Sequence, residues 1–201
     1  RAGGGRRQPA AALRCRWMLG GSRRAHDAET EIRAGVWPGW GINQYLGPDV
    51  HGATLGIVGF GRIGRAVARR ATGFDMRVLH HTRTDTGDTG WVGDLRQLLR
   101  DSDIVTLHVP LTDATTHLIG EPELAVMKPT AVLVNTARGP VVDESALARA
   151  LGAGTIFPAG LGVVGRDTPA GTPLPPGPPP LPPPPPGPPR ARPRPPGGAP
   201  P

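Results

Sequence analysis

The sequence predicts an α/β fold in which helices cover both sides of a doubly wound parallel sheet, and three observations support it. Strand-like and helix-like segments alternate through the middle of the 201-residue chain. Several of the strand-like segments are apolar on both faces, as strands buried between two helix layers are; they include 76–80, 104–109, 131–135 and 159–164. A glycine-rich turn within 54–72 joins the first strand to the helix that follows it.

That turn has the spacing GxGxxG, formed by Gly59, Gly61 and Gly64. In a strand–turn–helix setting, the first glycine permits the tight turn and the second lets the backbone approach a pyrophosphate. The third lets helix and strand pack closely, and the free N–H groups of the helix N-terminus face the phosphates. The motif therefore predicts a Rossmann NAD(P)-binding domain; a glycine turn without a ligand is the alternative.

The remaining segments divide the chain into four parts. Residues 1–17 have no amphipathic period and are predicted to be a low-complexity, disordered segment. A helix over 18–34 and a tryptophan-containing connector make up 18–51, and the dinucleotide-binding domain covers 52–167. Residues 168–201 form a proline-rich tail, which we expect to be disordered or polyproline-like because prolines lack N–H groups to pair.

Within the domain, short helices are predicted over 91–100, 121–127 and 144–151, the last of them capped by Asp143.

Composition excludes several classes of partner. The net charge is +7, but much of the basic excess lies near the two ends of the chain, where aromatic residues are almost lacking. A nucleic-acid-binding stripe is therefore not expected. The single cysteine, Cys15, allows no intramolecular disulfide or cysteine-based metal cluster and fits a reducing, cytoplasmic setting. No apolar run in the sequence is long enough to span a bilayer, so we expect no membrane partner. We also expect no metal site.

Three segments carry a family resemblance: GIVGFGRIG, HVPLTDATTHLIG and MKPTAVLVNTARGPVVDESALARAL. They resemble the cofactor domain of the D-isomer-specific 2-hydroxyacid dehydrogenases, nearest to the glyoxylate/hydroxypyruvate reductase branch. The resemblance extends from about 18 to 167. It implies hydride transfer between NAD(P)H and a small 2-oxo or 2-hydroxy acid, in a cleft against a second, substrate-binding domain. It also implies a homodimer formed near 18–40, and a sheet that is incomplete without elements from beyond residue 167.

The resemblance assigns cofactor contacts to three groups of residues. They are Gly59, Phe60, Gly61, Arg62, Ile63 and Gly64 at the pyrophosphate turn; His108, Val109, Pro110 and Thr115 on the nicotinamide side; and Thr136, Ala137 and Arg138 beside the nicotinamide ribose. His108 is interpreted as a structural residue rather than as the catalytic acid.

The loop after the second strand bears on the choice of cofactor. An NAD-binding domain commonly has an acidic residue about twenty positions past the turn, which binds the ribose 2′-hydroxyl. This chain has Thr82, Arg83 and Thr84 there. A hydroxyl and a guanidinium can bind a 2′-phosphate with charge-assisted hydrogen bonds, so NADP is predicted in preference to NAD. The alternative is that Arg83 is a solvated loop residue.

Arg138 matches the family's catalytic arginine, a role that suits the planar guanidinium because it can bind the adjacent carboxylate and carbonyl of a 2-oxo acid. Beyond it the sequence departs from the family pattern. Gly162 stands where an aspartate is expected, and Asp167 is the nearest match to the glutamate that partners the catalytic histidine. The family's PHIG-type segment, which contains that histidine, does not occur here. A chain without this general acid is expected to be a poor reductase.

The tail has two interpretations. PPLPPPPPGPPR resembles a PxxP ligand of SH3- or WW-type grooves. Alternatively, both ends consist almost only of residues with GC-rich codons, which favours a lost reading frame. Two function classes follow: a reductase of small 2-oxo acids, or a non-catalytic NAD(P)-binding module with a partner-binding tail.

Overall fold

The computed structural model describes residues 7–37, 39, 41, 45, 47–157 and 159–161. Within these residues, five strands form one parallel sheet in the order β2-β1-β3-β4-β5. The strands are β1 (Thr54–Val58), β2 (Arg77–His81), β3 (Ile104–Leu107), β4 (Val132–Asn135) and β5 (Ala159–Leu161).

In the described part of the chain, six α-helices accompany the sheet: α1 (Arg7–Ser22), α2 (Ala25–Arg33), α3 (Arg62–Ala71), α4 (Leu95–Asp101), α5 (Glu121–Ala125) and α6 (Glu144–Gly152). Short 3₁₀ turns cover Thr72–Phe74, Asp113–Thr115 and Gly139–Val141. Asp143 caps α6, as predicted, because its carboxylate accepts hydrogen bonds from the amides of Ser145 and Ala146.

Both faces of the sheet are buried, which confirms the doubly wound architecture. Ile57, Ile104 and Val134 belong to a core cluster that also contains residues of α1 and α3. Leu107 and Leu133 point to the opposite face, into a second cluster with residues of α4, α5 and α6. The alternation follows from the period of two along each strand, so apolar residues are found on both faces of the central strands.

The strand order reverses direction at β1. From β1 the chain passes to β2 on one side, then returns to form β3 on the other side of β1. A parallel bridge between His80 and Trp91 extends the pairing one step beyond β2. In open α/β sheets, ligands bind outside the carboxyl ends of the strands at such a reversal. We refer below to the gap between the carboxyl ends of β1 and β3 as the crevice.

Three predictions about helices need correction. The segment 1–17 was expected to be disordered, yet its residues from Arg7 onward form most of α1. The helix is stabilised by packing, since Ala11 and Met18 are buried against the sheet. The predicted single helix over 18–34 is two helices, because Arg24 adopts a left-handed conformation (φ 48°) between α1 and α2.

The third correction concerns 91–100. Trp91 pairs with His80 of β2, and α4 begins only at Leu95, after the cap Asp94. The tail 168–201, Trp40 and Asp167 lie outside the described residues.

Candidate cofactor-binding site

The glycine turn lies at the carboxyl end of β1, and Gly59 occupies its tightest point. Gly59 has φ +94°, and a Cβ atom there would lie 2.9 Å from the carbonyl oxygen of His108. Its amide donates to the carbonyl of His81 at 2.9 Å. The turn is thus held between the ends of β2 and β3, and only glycine fits its conformation and its space.

Gly64 and Gly61 differ in the space around them. A Cβ on Gly64 would lie 2.5 Å from the carbonyl oxygen of Gly59, so helix α3 packs closely on the turn. A Cβ on Gly61 would have no atom within 4 Å. The first bond of α3 runs from the amide of Arg65 to the carbonyl of Gly61, which leaves the amides of Arg62, Ile63 and Gly64 before it. Open space beside free amides at a helix N-terminus fits a pyrophosphate.

Phe60 is held in a stack beside the turn. Its ring lies 3.8 Å from that of His80, nearly parallel to it, and the Arg65 guanidinium lies 4.7 Å from the Phe60 ring centre. Arg65 in turn forms two hydrogen bonds to the carboxylate of Asp88, at 2.7 and 2.5 Å. Those bonds, together with one from Thr86, lower the pKa of Asp88 to about 2. Asp88 is therefore ionised and already paired at neutral pH.

The loop Thr82–Thr84 follows β2 directly and so lies beside the glycine turn. The Thr82 hydroxyl donates to the carbonyl of Thr84 at 2.7 Å and accepts from the Trp91 indole at 3.1 Å. The hydroxyl proton is therefore already used within the loop. The side chain of Arg83 is exposed and has no hydrogen-bond or ion-pair partner among the described residues.

His108 lies at the carboxyl end of β3, on the other side of the crevice. Its Nε2 atom is 3.1 Å from the Thr106 hydroxyl. Burial, and secondarily the positive charge of Arg14, lowers the pKa of His108 to about 3. The imidazole is neutral at pH 7, which agrees with its interpretation as a structural residue rather than an acid.

The segment after His108 is a polar loop. The Thr115 hydroxyl donates to the carbonyl of Pro110 at 2.6 Å and accepts from the amide of Thr112 at 2.8 Å. Thr115 thus shapes the backbone that follows Val109 and Pro110.

The loop after β4 carries Thr136, Ala137 and Arg138. Asn135, which is buried, holds this loop by donating to the carbonyl of Arg138 at 2.9 Å and accepting from the amide of Ala137 at 3.1 Å. The Arg138 side chain is exposed, and no carboxylate lies within 4.0 Å of it among the described residues. Its guanidinium donates to the carbonyl of Ala137 at 2.7 Å, and the other N–H groups of the guanidinium have no partner among the described residues.

Sequence reasoning missed two residues of this site. Asn135 positions the loop, and the available signal was a polar residue at the end of an apolar strand. Arg14 of α1 donates to the carbonyl of Thr136 at 3.1 Å although 122 positions separate the two residues. No local signal could have predicted that contact, because it depends on where α1 packs.

The structure thus brings the turn residues, 82–84, 108–110 and 136–138 to one edge of the sheet. Asp167, the remaining predicted site residue, lies outside the described residues.

The fold and the glycine turn define a dinucleotide-binding domain, and comparison with known proteins identifies its family. Residues 15–185 match the family described as D-isomer specific 2-hydroxyacid dehydrogenase, NAD binding domain. The chain belongs to this family, as its sequence motifs predicted.

Individual proteins that resemble the chain are consistent with this family. A glyoxylate reductase from Thermococcus gammatolerans is 50% identical over 155 residues, which are 73% of this chain and 46% of the relative. The chain therefore spans about half the length of the curated relatives it matches. The crystal structure of the TT0316 protein from Thermus thermophilus superposes with a TM-score of 0.78 at 42% identity, covering 87% of this chain and 54% of the other. An acyclic imino acid reductase, Bsp5, solved with NADPH and D-Arg, gives a TM-score of 0.74 at 32% identity, over 82% and 54%.

The described residues contain neither a membrane-spanning helix nor a metal-binding cluster. None of their helices is long and apolar enough to cross a membrane. No group of three or more His, Cys, Asp or Glu side chains among them is placed to hold a metal ion.

Proposed function

We propose that this chain is the cofactor-binding half of an oxidoreductase that uses NAD(P)H to reduce a small 2-oxo acid of the glyoxylate or hydroxypyruvate type. The observation that carries the proposal is the position of Arg138. Its guanidinium, which has no carboxylate partner among the described residues, lies at the same edge of the sheet as the glycine turn. The relative named glyoxylate reductase supports this substrate class.

A bound nicotinamide cofactor supplies the hydride. Arg138 binds the carboxylate and the carbonyl oxygen of the 2-oxo acid, since its planar guanidinium offers donors to both groups. Its charge also stabilises the negative charge that grows on the carbonyl oxygen. Asn135 is a positioning residue, because it holds the backbone that presents Arg138.

Oxidation of NADPH and NADH in the presence of glyoxylate or hydroxypyruvate tests this proposal. We expect slow turnover by the wild-type chain, because the sequence lacks the PHIG-type segment and general acid catalysis contributes about 10²–10⁴-fold. Arg138→Ala should lower kcat/KM by about 100-fold or more, as loss of a charge-stabilising donor does. Arg149→Ala is the matched control, since Arg149 is an arginine of α6 paired with Glu121. Equal effects of the two substitutions would contradict the role of Arg138.

The proline-rich run PPLPPPPPGPPR supports a second candidate function, a non-catalytic NAD(P)-binding module with a partner-binding proline-rich tail. Tight cofactor binding without turnover of either 2-oxo acid would favour this module. Turnover that depends on Arg138 would favour the reductase. Asp167 is part of the reductase proposal only, as the residue that would partner a general acid.

NADP is the preferred cofactor in this proposal, and Arg83 is the reason. Arg83 is exposed beside the glycine turn without a partner among the described residues, while the neighbouring Asp88 is neutralised by Arg65. A 2′-phosphate would therefore meet a free cation. Calorimetric titration should show tighter binding of NADPH than of NADH, and Arg83→Gln should remove the difference. Arg69→Gln, at an exposed position of α3, should leave the difference unchanged. Tighter binding of NADH would overturn this preference.

A homodimer formed through α2 and the following segment is also proposed. In the described part of the chain α2 has no buried residue, and Ile32, Val36 and Trp37 are 55%, 51% and 65% exposed. Apolar side chains this exposed favour a protein interface. Sedimentation should show a dimer for the wild type and a monomer for Trp37→Arg. A monomeric wild type would contradict the proposed dimer.

We also propose that the protein is cytoplasmic, because its single cysteine, Cys15, is free and a free thiol fits a reducing compartment.

A further inference from the structure

Arg14 is a buried cation at the carboxyl end of β4. Its side chain is 6% exposed and donates to the carbonyl oxygens of Ala10 at 2.8 Å and Thr136 at 3.1 Å. No carboxylate lies within 4.0 Å of it in the described part of the chain. A buried arginine normally has an anionic partner, and carbonyl oxygens supply only partial charge. Its positive charge is therefore not neutralised by these neighbours.

Polar atoms around Arg14 also lack partners. Among the buried atoms of the described residues that have no hydrogen-bond partner are Nε of Arg14, Oγ1 of Thr136 and Nδ1 of His108. Leu107 pairs with Asn135 in the register of β3 and β4, so His108 and Thr136 follow on neighbouring strands. Arg14 bonds to Thr136, and its charge contributes to the lowered pKa of His108. The positive charge thus acts on the carboxyl ends of both strands.

The position of this charge relative to a dinucleotide follows from the strand order. The phosphates belong at the turn after β1, and the adenosine ribose belongs at the end of β2. The other half of the dinucleotide must then extend past β1 to the β3 and β4 side, where Arg14 lies. This step rests on the cofactor site of the proposed function.

We propose that Arg14 makes the site bind the reduced cofactor more tightly than the oxidised one. The oxidised nicotinamide ring carries a positive charge and the reduced ring carries none, whereas the phosphates and riboses are the same in both. A fixed, poorly solvated cation therefore penalises only the oxidised form. At an effective dielectric constant of about 20, two like charges within roughly 7 Å change a binding constant about tenfold or more. Such a site captures the reduced cofactor and releases the oxidised one.

Calorimetric titration of the full chain with NADPH, NADP⁺, NADH and NAD⁺ tests this inference. For the wild type we expect the oxidised form of each pair to bind about tenfold more weakly, or weaker still. Arg14→Met retains the length and apolar stem but removes the charge, and should lower the oxidised-to-reduced ratio of dissociation constants about fivefold or more. Arg14→Lys should retain most of the ratio. Arg16→Met is the matched control, because Arg16 is exposed on the same helix.

Each outcome is informative. A wild-type ratio near one overturns the inference without any variant, which matters if Arg14→Met fails to fold. An unchanged ratio in a folded Arg14→Met protein, checked by circular dichroism, also overturns it. Failure of all four nucleotides to bind overturns the cofactor site of the proposed function and this inference with it. Binding with equal affinities overturns the inference alone.

Discussion

The two sides of the crevice use arginine in opposite ways. On the β2 side, Arg83 is exposed and Arg65 is paired with Asp88. On the β4 side, Arg14 is almost fully buried and bonded only to carbonyl oxygens within the described residues. The same side chain can therefore bind a phosphate by contact on one side and act through its field on the other.

Burial determines the difference. An exposed guanidinium is surrounded by water and salt, so it acts only on a group it touches. A guanidinium buried in protein is screened much less, and its charge reaches neighbours such as His108. Selection of the phosphate and selection of the redox state are thus separable properties of one site.

The largest change in stability should come from substitution in the glycine turn, which lies between the β2 side and the β4 side of the site. Gly64→Ala should reduce the free energy of unfolding by about 3 kcal/mol, because the new methyl group would meet the Gly59 carbonyl oxygen at 2.5 Å. Gly61→Ala should leave stability almost unchanged but weaken binding of every nucleotide, because its methyl group points into open space beside the free amides. Urea denaturation and calorimetry measure the two quantities. Equal stability losses would show that the turn does not separate packing from binding as described.

The free energy of unfolding should fall in acid because of His108, which lies at the carboxyl end of β3. Its pKa is about 3 in the folded protein against an ordinary value of 6.5, so between these values the unfolded chain binds more protons. Stability is therefore complete above the ordinary pKa and falls as the pH falls, by about 2 kcal/mol from about pH 7 to about pH 5.

Urea denaturation at the two pH values should show a smaller loss for His108→Gln than for the wild type. His26→Gln, at an exposed position of α2, should retain the wild-type loss. A full acid loss in His108→Gln would assign the sensitivity to other groups.

Salt should weaken the cofactor preference due to Arg83 more than the preference due to Arg14. Raising the salt concentration from about 0.05 M to about 0.5 M shortens the screening length several-fold, so the preference for NADPH over NADH should weaken. The oxidised-to-reduced ratio should change less, because Arg14 is buried. Titrations at both concentrations give the two ratios, and a parallel decline would place Arg14 in contact with solvent.

The smallest change in stability should come from the half-buried ion pair of Arg65 and Asp88 on the β2 side. Asp88→Asn removes the paired carboxylate of Arg65, but ion pairs that water still reaches contribute little to stability. The midpoint of urea denaturation should therefore remain close to that of the wild type. A clear drop would mean that the stack of Phe60, His80 and Arg65 depends on this pair.

Most of the fold could be predicted because its signals are local. The apolar runs of the strands, the glycine spacing and the cap Asp143 each act over a few residues, and the structure contains each feature. The errors arose where tertiary contacts decide. Trp91 pairs with His80 instead of starting a helix, and α1 extends through a segment without amphipathic periodicity because the sheet supplies a surface for it.

The sequence predicted which residues form the candidate site, but not the hydrogen bonds between their side chains. The residues at the ends of β1, β3 and β4 follow from the parallel topology, which brings all carboxyl ends to one edge. The engagement of the Thr82 hydroxyl by Trp91 and the contact of Arg14 with Thr136 were not predictable. Both depend on side-chain geometry that a motif does not encode.

By itself the sequence determined the glycine turn, since the backbone conformation at Gly59 and the space at Gly64 permit no larger residue. It also determined the family to which the chain belongs. Tertiary structure alone decided which arginines are buried and which are free. Arg14 and Arg83 are the same residue type in the sequence. Helix α1 packs on the sheet and the loop after β2 does not, so of these two side chains Arg14 is buried and Arg83 is exposed to solvent.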